Sequence, residues 1–386
     1  MKFLFIHCTS DLYGASRMML RTISKLISDS NKVLVVLPSN GLLVDELKKC
    51  GAEVIIINSD PTIRKTYLKS PIKFFSLIKS VVNSFFKIRK ISIQKSINVI
   101  ITNTSQTLVG GFVARSLGLK HICHVRESYE NYGIFWNFFE KFLLVNTDLL
   151  ICVSKAMMYQ FNKKTHFKKV CYVHDGFPLD EFNPVEDFRI KSFKQKYDLE
   201  NNLIVGVVGR IILKRKGQEV FVNAIKEIIH DIKDVKFIIV GGCYPGNEHH
   251  LEKLNILIDK LNLKENIIIT GEINDIKTVY ASLDISIMSS AEPEPFGGVT
   301  LESMAFSKPV IGTNIGGTPE QIIDDVTGIL VAPNNSFEMG KAILKLINDP
   351  DLRKKMGYMG RKRFEEEFGF EPYYNKLISH YKILTK

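Results

Sequence analysis

Short apolar runs alternate with longer amphipathic segments along this chain, and the alternation predicts strands and helices in regular succession. In the first half, residues 2–8, 33–37, 54–57, 99–102, 121–125, 149–153 and 170–174 read as strands. Helices are expected over 16–28, 41–50, 107–117, 132–145 and 155–162. The strand runs are apolar at nearly every position, the pattern of strands covered on both faces by crossover helices. A second series has strands at 204–208, 236–240, 267–270, 283–289, 309–313 and 327–331, with helices at 220–230, 251–260 and 299–306 among them. Three more helices are expected at 337–346, 350–359 and 361–367. The stretch 179–202 is polar and charged, and the domain boundary is placed inside it. The expected fold class is α/β, with one Rossmann-like doubly wound domain over 1–185 and another over 200–369.

Bulk properties agree with this division and narrow the partners. A chain of 386 residues is long for one core and comfortable for two such domains. No uncharged apolar run reaches the roughly 18 residues a spanning helix needs, and the N-terminal run reads as a buried strand, so a cytoplasmic location is expected. The six cysteines have no C-x-x-C spacing and read as buried thiols. A net charge of +11 fits nucleic acid, an anionic membrane surface or phosphorylated substrates, and only its distribution decides among them. Residues 64–95 carry nine Lys or Arg and no Asp or Glu, interleaved with Phe74, Phe75, Phe85 and Phe86. Ile72, Phe75, Ile78, Val82, Phe85 and Phe86 fall near one helical face. Two readings stay open: an ordinary amphipathic helix packed on its own domain, or peripheral attachment to anionic lipid. No nucleic-acid partner is expected, because no recognition motif accompanies the charge.

The densest chemistry lies in 281–320. Pro293 and Pro295 end the strand there, Gly297-Gly298 turn the chain, and a helix follows from about Val299. Glu294 precedes that helix and Glu302 lies about one turn inside it. The amides from Phe296 to Val299 can hold an anion or a sugar hydroxyl. Two carboxylates beside a helix start would repel a bare phosphate, so a ligand with hydroxyls to donate fits better. The plainer alternative is that Glu294 caps the helix and Glu302 faces water. A second basic constellation, Gly209-Arg210 and Lys216-Gly217, follows the strand 204–208. A guanidinium at a strand end and an ammonium at a helix start can neutralise a diphosphate from two sides.

Glu294-Pro-Phe-Gly-Gly-Val-Thr-Leu-Glu302 resembles the E-x7-E signature of retaining glycosyltransferases of family 4 (glycosyl transferases group 1), and Gly312 to Glu320 (GTNIGGTPE) resembles the segment that follows it. The spacing of Arg210, Lys216 and Gly217 is similar to that family's G-R-x(n)-K-G. The resemblance implies a GT-B fold, two Rossmann-like domains facing across a cleft, with the tail 370–386 completing the first domain. It implies a nucleoside-diphosphate sugar donor, UDP- or GDP-linked, and no metal. Arg210 and Lys216 would meet the diphosphate, Glu294 the transferred sugar and Glu302 the ribose. Phe296, Gly297, Gly298 and Val299 would supply the helix start, Gly209 the adjoining turn and Ile273 a surface beside the base. In the first domain the loop Tyr13-Gly14-Ala15-Ser16 is similar to the family's glycine-rich loop, but keeps one glycine and has serine where an acid is common. Gly14 is either a donor-side glycine or a plain turn. VHDGF carries Asp175 where asparagine is usual. His124 is either a structural histidine or, as the resemblance implies, a catalytic-side contact, with Arg126-Glu127 shaping the acceptor side.

The chemistry implied is sugar transfer with retention to a saccharide or lipid-linked saccharide, in bacterial surface polysaccharide synthesis. Charge stabilisation of the departing diphosphate would do most of the work, and no cofactor is expected to be covalently bound. The sequence offers no tight His/Cys/Asp cluster for a metal. A GT-B epimerase or hydrolase and a non-catalytic nucleotide-sugar-binding protein are the alternatives.

Overall fold

The structure is a computed structural model, and it describes residues 1–63, 67, 70–161, 169–244 and 246–385. The chain forms two compact units: Met1–Asp175 with Tyr373–Lys386, and Gly176–Pro372.

The first unit holds a sheet of seven strands: β1 Lys2–Ile6, β2 Lys32–Leu37, β3 Glu53–Ile56, β4 Val99–Thr102, β5 Lys120–Val125, β6 Leu149–Cys152 and β7 Val170–Tyr172. Their order is β3-β2-β1-β4-β5-β6-β7, and each neighbouring pair is parallel. The order reverses between β1 and β4, which opens a crevice beyond the carboxyl ends of those strands. Phe3, Leu4, Phe5, Val35, Ile100, Ile101 and Ile122 are buried, as their unbroken apolar runs require. The last helix, Phe370–Thr385, brings Tyr373, Leu377 and Tyr381 into this core, where the Tyr373 hydroxyl lies 2.9 Å from Thr22 Oγ1.

The second unit repeats the plan with six strands: β8 Leu203–Val208, β9 Val235–Val240, β10 Ile267–Gly271, β11 Ile285–Met288, β12 Val310–Thr313 and β13 Gly328–Val331. Their order is β10-β9-β8-β11-β12-β13, again parallel, with the reversal between β8 and β11. The main core joins Val205, Val207, Phe221, Phe237, Ile239, Ile287 and Ile343 on one side of the sheet. A smaller cluster on Ile204, Ile238, Tyr280 and Leu283 fills the other.

Four details differ from expectation. The polar stretch 179–202 contains a helix, Asp187–Lys196, whose Phe193 reaches the smaller core cluster. That stretch lies within the second unit. The helices expected at 350–359 and 361–367 are one helix, Pro350–Glu367. Its glycines do not interrupt it: Gly357 packs on the Ser307 backbone, where a larger side chain would crowd, and Gly360 lies in ordinary contact with Met304. Lys216 ends a short helix, Leu213–Lys216, instead of starting one, and Gly217 turns the chain in the left-handed region (φ 67°). The helix expected over 155–162 spans Lys155–Tyr159, and residue 162 lies outside the described residues.

Candidate active site

In the second unit, the sequence-selected residues gather at the carboxyl ends of β8 and β11, where the strand order reverses. Gly209 and Arg210 follow β8, and the segment 289–297 follows β11. Lys216 Nζ donates to Glu294 Oε2 at 2.7 Å, and Arg215 Nη2 lies 3.9 Å from Oε1. Burial, which leaves the Glu294 side chain only 12% exposed, pushes its carboxyl up, but the charges of Lys216, Arg215 and Arg210 outweigh this and hold it below its ordinary value. Glu294 is therefore a carboxylate in a cationic frame. The Arg210 guanidinium lies 4.4 Å from the centre of the Tyr244 ring, which supports its plane.

Backbone contacts lock the two loops together. Ser289 Oγ donates to the Lys216 carbonyl at 2.8 Å, and the Ala291 amide to the Arg215 carbonyl at 3.0 Å. Gly217 lies against the Ser289 carbonyl so closely that no Cβ fits. The glycine pair of the following segment has the same purpose. Gly316 (φ 61°) presses on the Glu294 backbone, and the Gly317 amide donates to the Glu294 carbonyl at 2.8 Å. Gln321 Nε2 holds the Gly297 carbonyl at 2.9 Å. Glu294 is thus fixed from both sides by main chain.

The helix Gly298–Ala305 starts on Gly297 with no side-chain cap, so its first amides are left without an intrahelical acceptor. Gly298 packs 3.5 Å from Phe177 by its absent Cβ, Phe296 packs against Phe368, and Val299 joins the smaller core cluster. One turn inside, Glu302 Oε2 accepts from the Tyr280 hydroxyl at 2.7 Å. Tyr280 is buried, so Glu302 is oriented by the core. At the neighbouring strand ends, Gly241 (φ 144°) crowds the Gly209 carbonyl, and its amide donates to Gly271 at 2.9 Å. Ile273, just beyond β10, packs on the smaller core cluster.

Gly14 and His124 belong to the first unit. Gly14 starts the helix Gly14–Ser28, and a Cβ there would meet nothing within 4 Å, so packing within the chain does not require glycine. Ser16 is engaged internally: its hydroxyl donates to Asp11 Oδ1 at 3.2 Å and lies 3.0 Å from His7 Nε2. His124 is buried, with Nε2 2.9 Å from the Tyr381 hydroxyl, and burial lowers its pKa to about 3. Its ring faces the interior, as the structural reading of this histidine requires. Arg126 makes two bonds to Asp175, at 2.7 and 3.0 Å. Glu127 Oε2 accepts from Ser105 Oγ at 2.6 Å and from the Ser105 and Arg126 amides, while burial raises its pKa.

Among the described residues no group of three or more His, Cys, Asp or Glu is arranged to hold a metal. Asp349 and Asp351 have Asp-x-Asp spacing but form a helix start, where Asp349 accepts from the Leu352 amide. Reading the sequence overlooked Arg215, adjacent to a selected lysine, and Tyr280, whose partner is 22 positions away with no local spacing to link them.

Residues 189–363 match the family model of glycosyl transferases group 1. The chain is 25% identical over 362 residues to the capsular polysaccharide biosynthesis glycosyltransferase CapM of Staphylococcus aureus, covering 89% of this chain and 93% of that one. Its fold is similar to that of a Rickettsia africae glycosyltransferase (TM-score 0.84, 24% identity, 100% and 99% of the two chains). It is also similar to Anabaena HepE solved with UDP-glucose (TM-score 0.82, 21% identity, 99% of each chain). The chain is a GT-B-fold protein related to the group 1 glycosyltransferases.

Proposed function

We propose that this protein is a retaining glycosyltransferase that moves a sugar from a UDP- or GDP-linked donor to a saccharide or lipid-linked saccharide, in bacterial surface polysaccharide synthesis. The observation that carries the reading is the frame of Arg210, Arg215 and Lys216 around Glu294 at the β8–β11 reversal. Such a frame neutralises a diphosphate while keeping one carboxylate ionised to accept sugar hydroxyls. Lys216 and Arg210 take the phosphate charge as it develops on the leaving group. The uncapped amides at Gly298 and Val299 add fixed dipoles. Glu302, steered by Tyr280, accepts from the ribose, and Ile273 flanks the base. Departing phosphate on the same face as the incoming hydroxyl removes its proton, which gives retention without a protein base.

Acceptor recognition is assigned to the first unit, at the carboxyl ends of β4 and β5 near Ser105 and Glu127. The protein works at the cytoplasmic face of the membrane, held peripherally through residues 64–95. Of that segment, residues 64–66, 68 and 69 lie outside the described residues. Among the described residues no helix is long and apolar enough to cross a membrane.

The test is a thermal-shift screen with UDP-, GDP- and ADP-sugars, then transfer to an acceptor panel with the anomeric configuration of the product read by NMR. Stabilisation by a sugar nucleotide and a product of retained configuration are expected. Turnover of donor with inversion would remove the retaining mechanism. Epimerisation without acceptor would replace transfer altogether.

A further inference from the structure

The helix Pro71–Gln94 is turned against the usual rule for amphipathic helices. Its fully buried positions are Leu77, Ser84, Ile88 and Ser92, so two of the four are serines. Its large apolar residues face outward instead: Phe75 (70% exposed), Ile78, Val82, Phe86 (65%) and Ile93. These five fall along one stripe at helical spacing, with only Phe85 of the aromatic group partly packed on the core. Arg89 falls within the stripe, Lys79 and Lys90 lie beside it, Lys73 and Lys87 lie further round the helix, and the helix contains no acid.

A second helix also turns an apolar stripe outward. In Ile134–Asn146 the buried residues are Phe139 and Leu143, while Ile134 (80% exposed), Phe135, Phe138 (67%) and Val145 face outward. Residues 134, 138, 141 and 145 form a single stripe, and only Lys141 in it is charged. The helix Val109–Leu117 packs against both. Its exposed Phe112 meets Phe142 of the second helix edge to face, with centroids 5.3 Å apart.

We infer that these two helices, joined through the helix Val109–Leu117, form one membrane-docking face of the first unit, seated in the headgroup region of an anionic bilayer. The inference rests on the peripheral-membrane reading above and extends it to Ile134–Asn146, a helix outside the basic segment. Isolated exposed apolar residues are ordinary, but two outward apolar stripes on helices that pack against a common third one are not. Charge selects the occupant. Six cations and one acid, Glu140, lie on the two helices, which complements anionic lipid headgroups while the aromatic rings enter the acyl boundary.

The test uses the full chain and vesicles of phosphatidylcholine alone or mixed with phosphatidylglycerol. Trp136, the single tryptophan of the chain, turns inward, stacked on Tyr129 with its Nε1 donating to the Gln160 carbonyl, so depth is read from the variant Phe138→Trp, which adds an exposed indole open to quenching by brominated lipid. Wild type is expected to bind the anionic vesicles and to release as salt rises, and Phe138→Trp to show bilayer quenching that wild type lacks. Phe135→Ser with Phe138→Ser and Val145→Ser should weaken partitioning roughly tenfold or more. So should Phe75→Ser with Val82→Ser and Phe86→Ser, or Lys73→Gln with Lys79→Gln and Lys87→Gln. All substituted side chains are exposed, and an unchanged melting temperature verifies folding.

Loss of binding only in the 71–94 variants, with no added quenching in Phe138→Trp, would overturn the second helix's part and leave the basic-segment reading standing. Failure of wild type to bind any vesicle would overturn both. Concentration-dependent dimerisation abolished by the same serine substitutions, without vesicle binding, would assign the face to a second copy of the chain and overturn the inference.

Discussion

Lys216 Nζ and Glu294 Oε2 are 2.7 Å apart, so the proposed phosphate ligand and the proposed sugar ligand are partners of each other before any donor arrives. A diphosphate must take over the lysine, which releases the carboxylate for hydroxyls. Losing one charge-assisted bond costs about 1.5–3 kcal/mol, or roughly ten- to hundredfold. Lys216→Met should therefore weaken binding of both the nucleoside diphosphate and the sugar nucleotide by that factor. Glu294→Gln should weaken only the sugar nucleotide and lower transfer, with the diphosphate bound no worse. Calorimetry with the two ligands separates these outcomes. Equal losses for both ligands in Glu294→Gln would remove its assignment to the sugar.

The Tyr280 hydroxyl donates to Glu302 at 2.7 Å from a buried ring. Tyr280→Phe keeps the shape and removes that donor, at a cost of about 1 kcal/mol in stability. Glu302 then loses its orientation, and affinity for the nucleoside diphosphate should fall about threefold to tenfold. Binding of a 2′,3′-dideoxy nucleoside diphosphate should be unaffected by the same change, since it offers no ribose hydroxyl. An equal effect on both nucleotides would show that Tyr280 acts through packing alone.

The strands were legible because parallel, doubly covered strands read as near-continuous apolar runs, as Val205–Val208 and Ile285–Met288 do around Gly206 and the buried Ser286. The glycines after them were legible as a pattern but not as a mechanism. That Gly316 must be small because it lies on the Glu294 backbone is a contact across the fold. Tyr280, Ser289 and Gln321 escaped for the same reason: each acts on a residue that no local period connects to it. The segment 71–94 shows the reverse limit. Its apolar face was visible from spacing, yet spacing cannot say which face turns inward, and here Ser84 and Ser92 do, beside Leu77 and Ile88. His124 stood at a strand end, which suits a ligand contact or a core position equally, and its bond to Tyr381 comes from the far end of the chain.

Three histidines of the first unit make its stability depend on pH. His7 and His121 are lowered to about 4 and His124 to about 3, in each case chiefly by burial. Their ordinary value is 6.5, so between about 4 and 6.5 the unfolded chain binds protons that the folded chain refuses. Stability from these groups is whole above that range and declines as pH falls through it, by up to about 1.4 kcal/mol per pH unit for each histidine. Melting temperature should drop steeply between pH 6.5 and 5. His124→Gln should show a shallower slope than wild type over that interval. An identical slope would mean that His124 protonates in the folded state.

Arg126 and Asp175 form a two-bond ion pair with both side chains only 11% exposed, linking the end of β5 to the last residue before the chain leaves the first unit. Burial disfavours the charge on Arg126, but the Asp175 carboxylate keeps it ionised. Removing either partner strands the other, at about 3–5 kcal/mol. Arg126→Met and Asp175→Leu should each lower unfolding free energy by that order in a denaturant titration. The double variant should recover much of the loss, since two apolar groups leave no buried charge. Arg126→Lys retains the charge but not the planar fork, so it should recover only part of the loss. A double variant as unstable as the sum of the singles would show that the pair is not coupled.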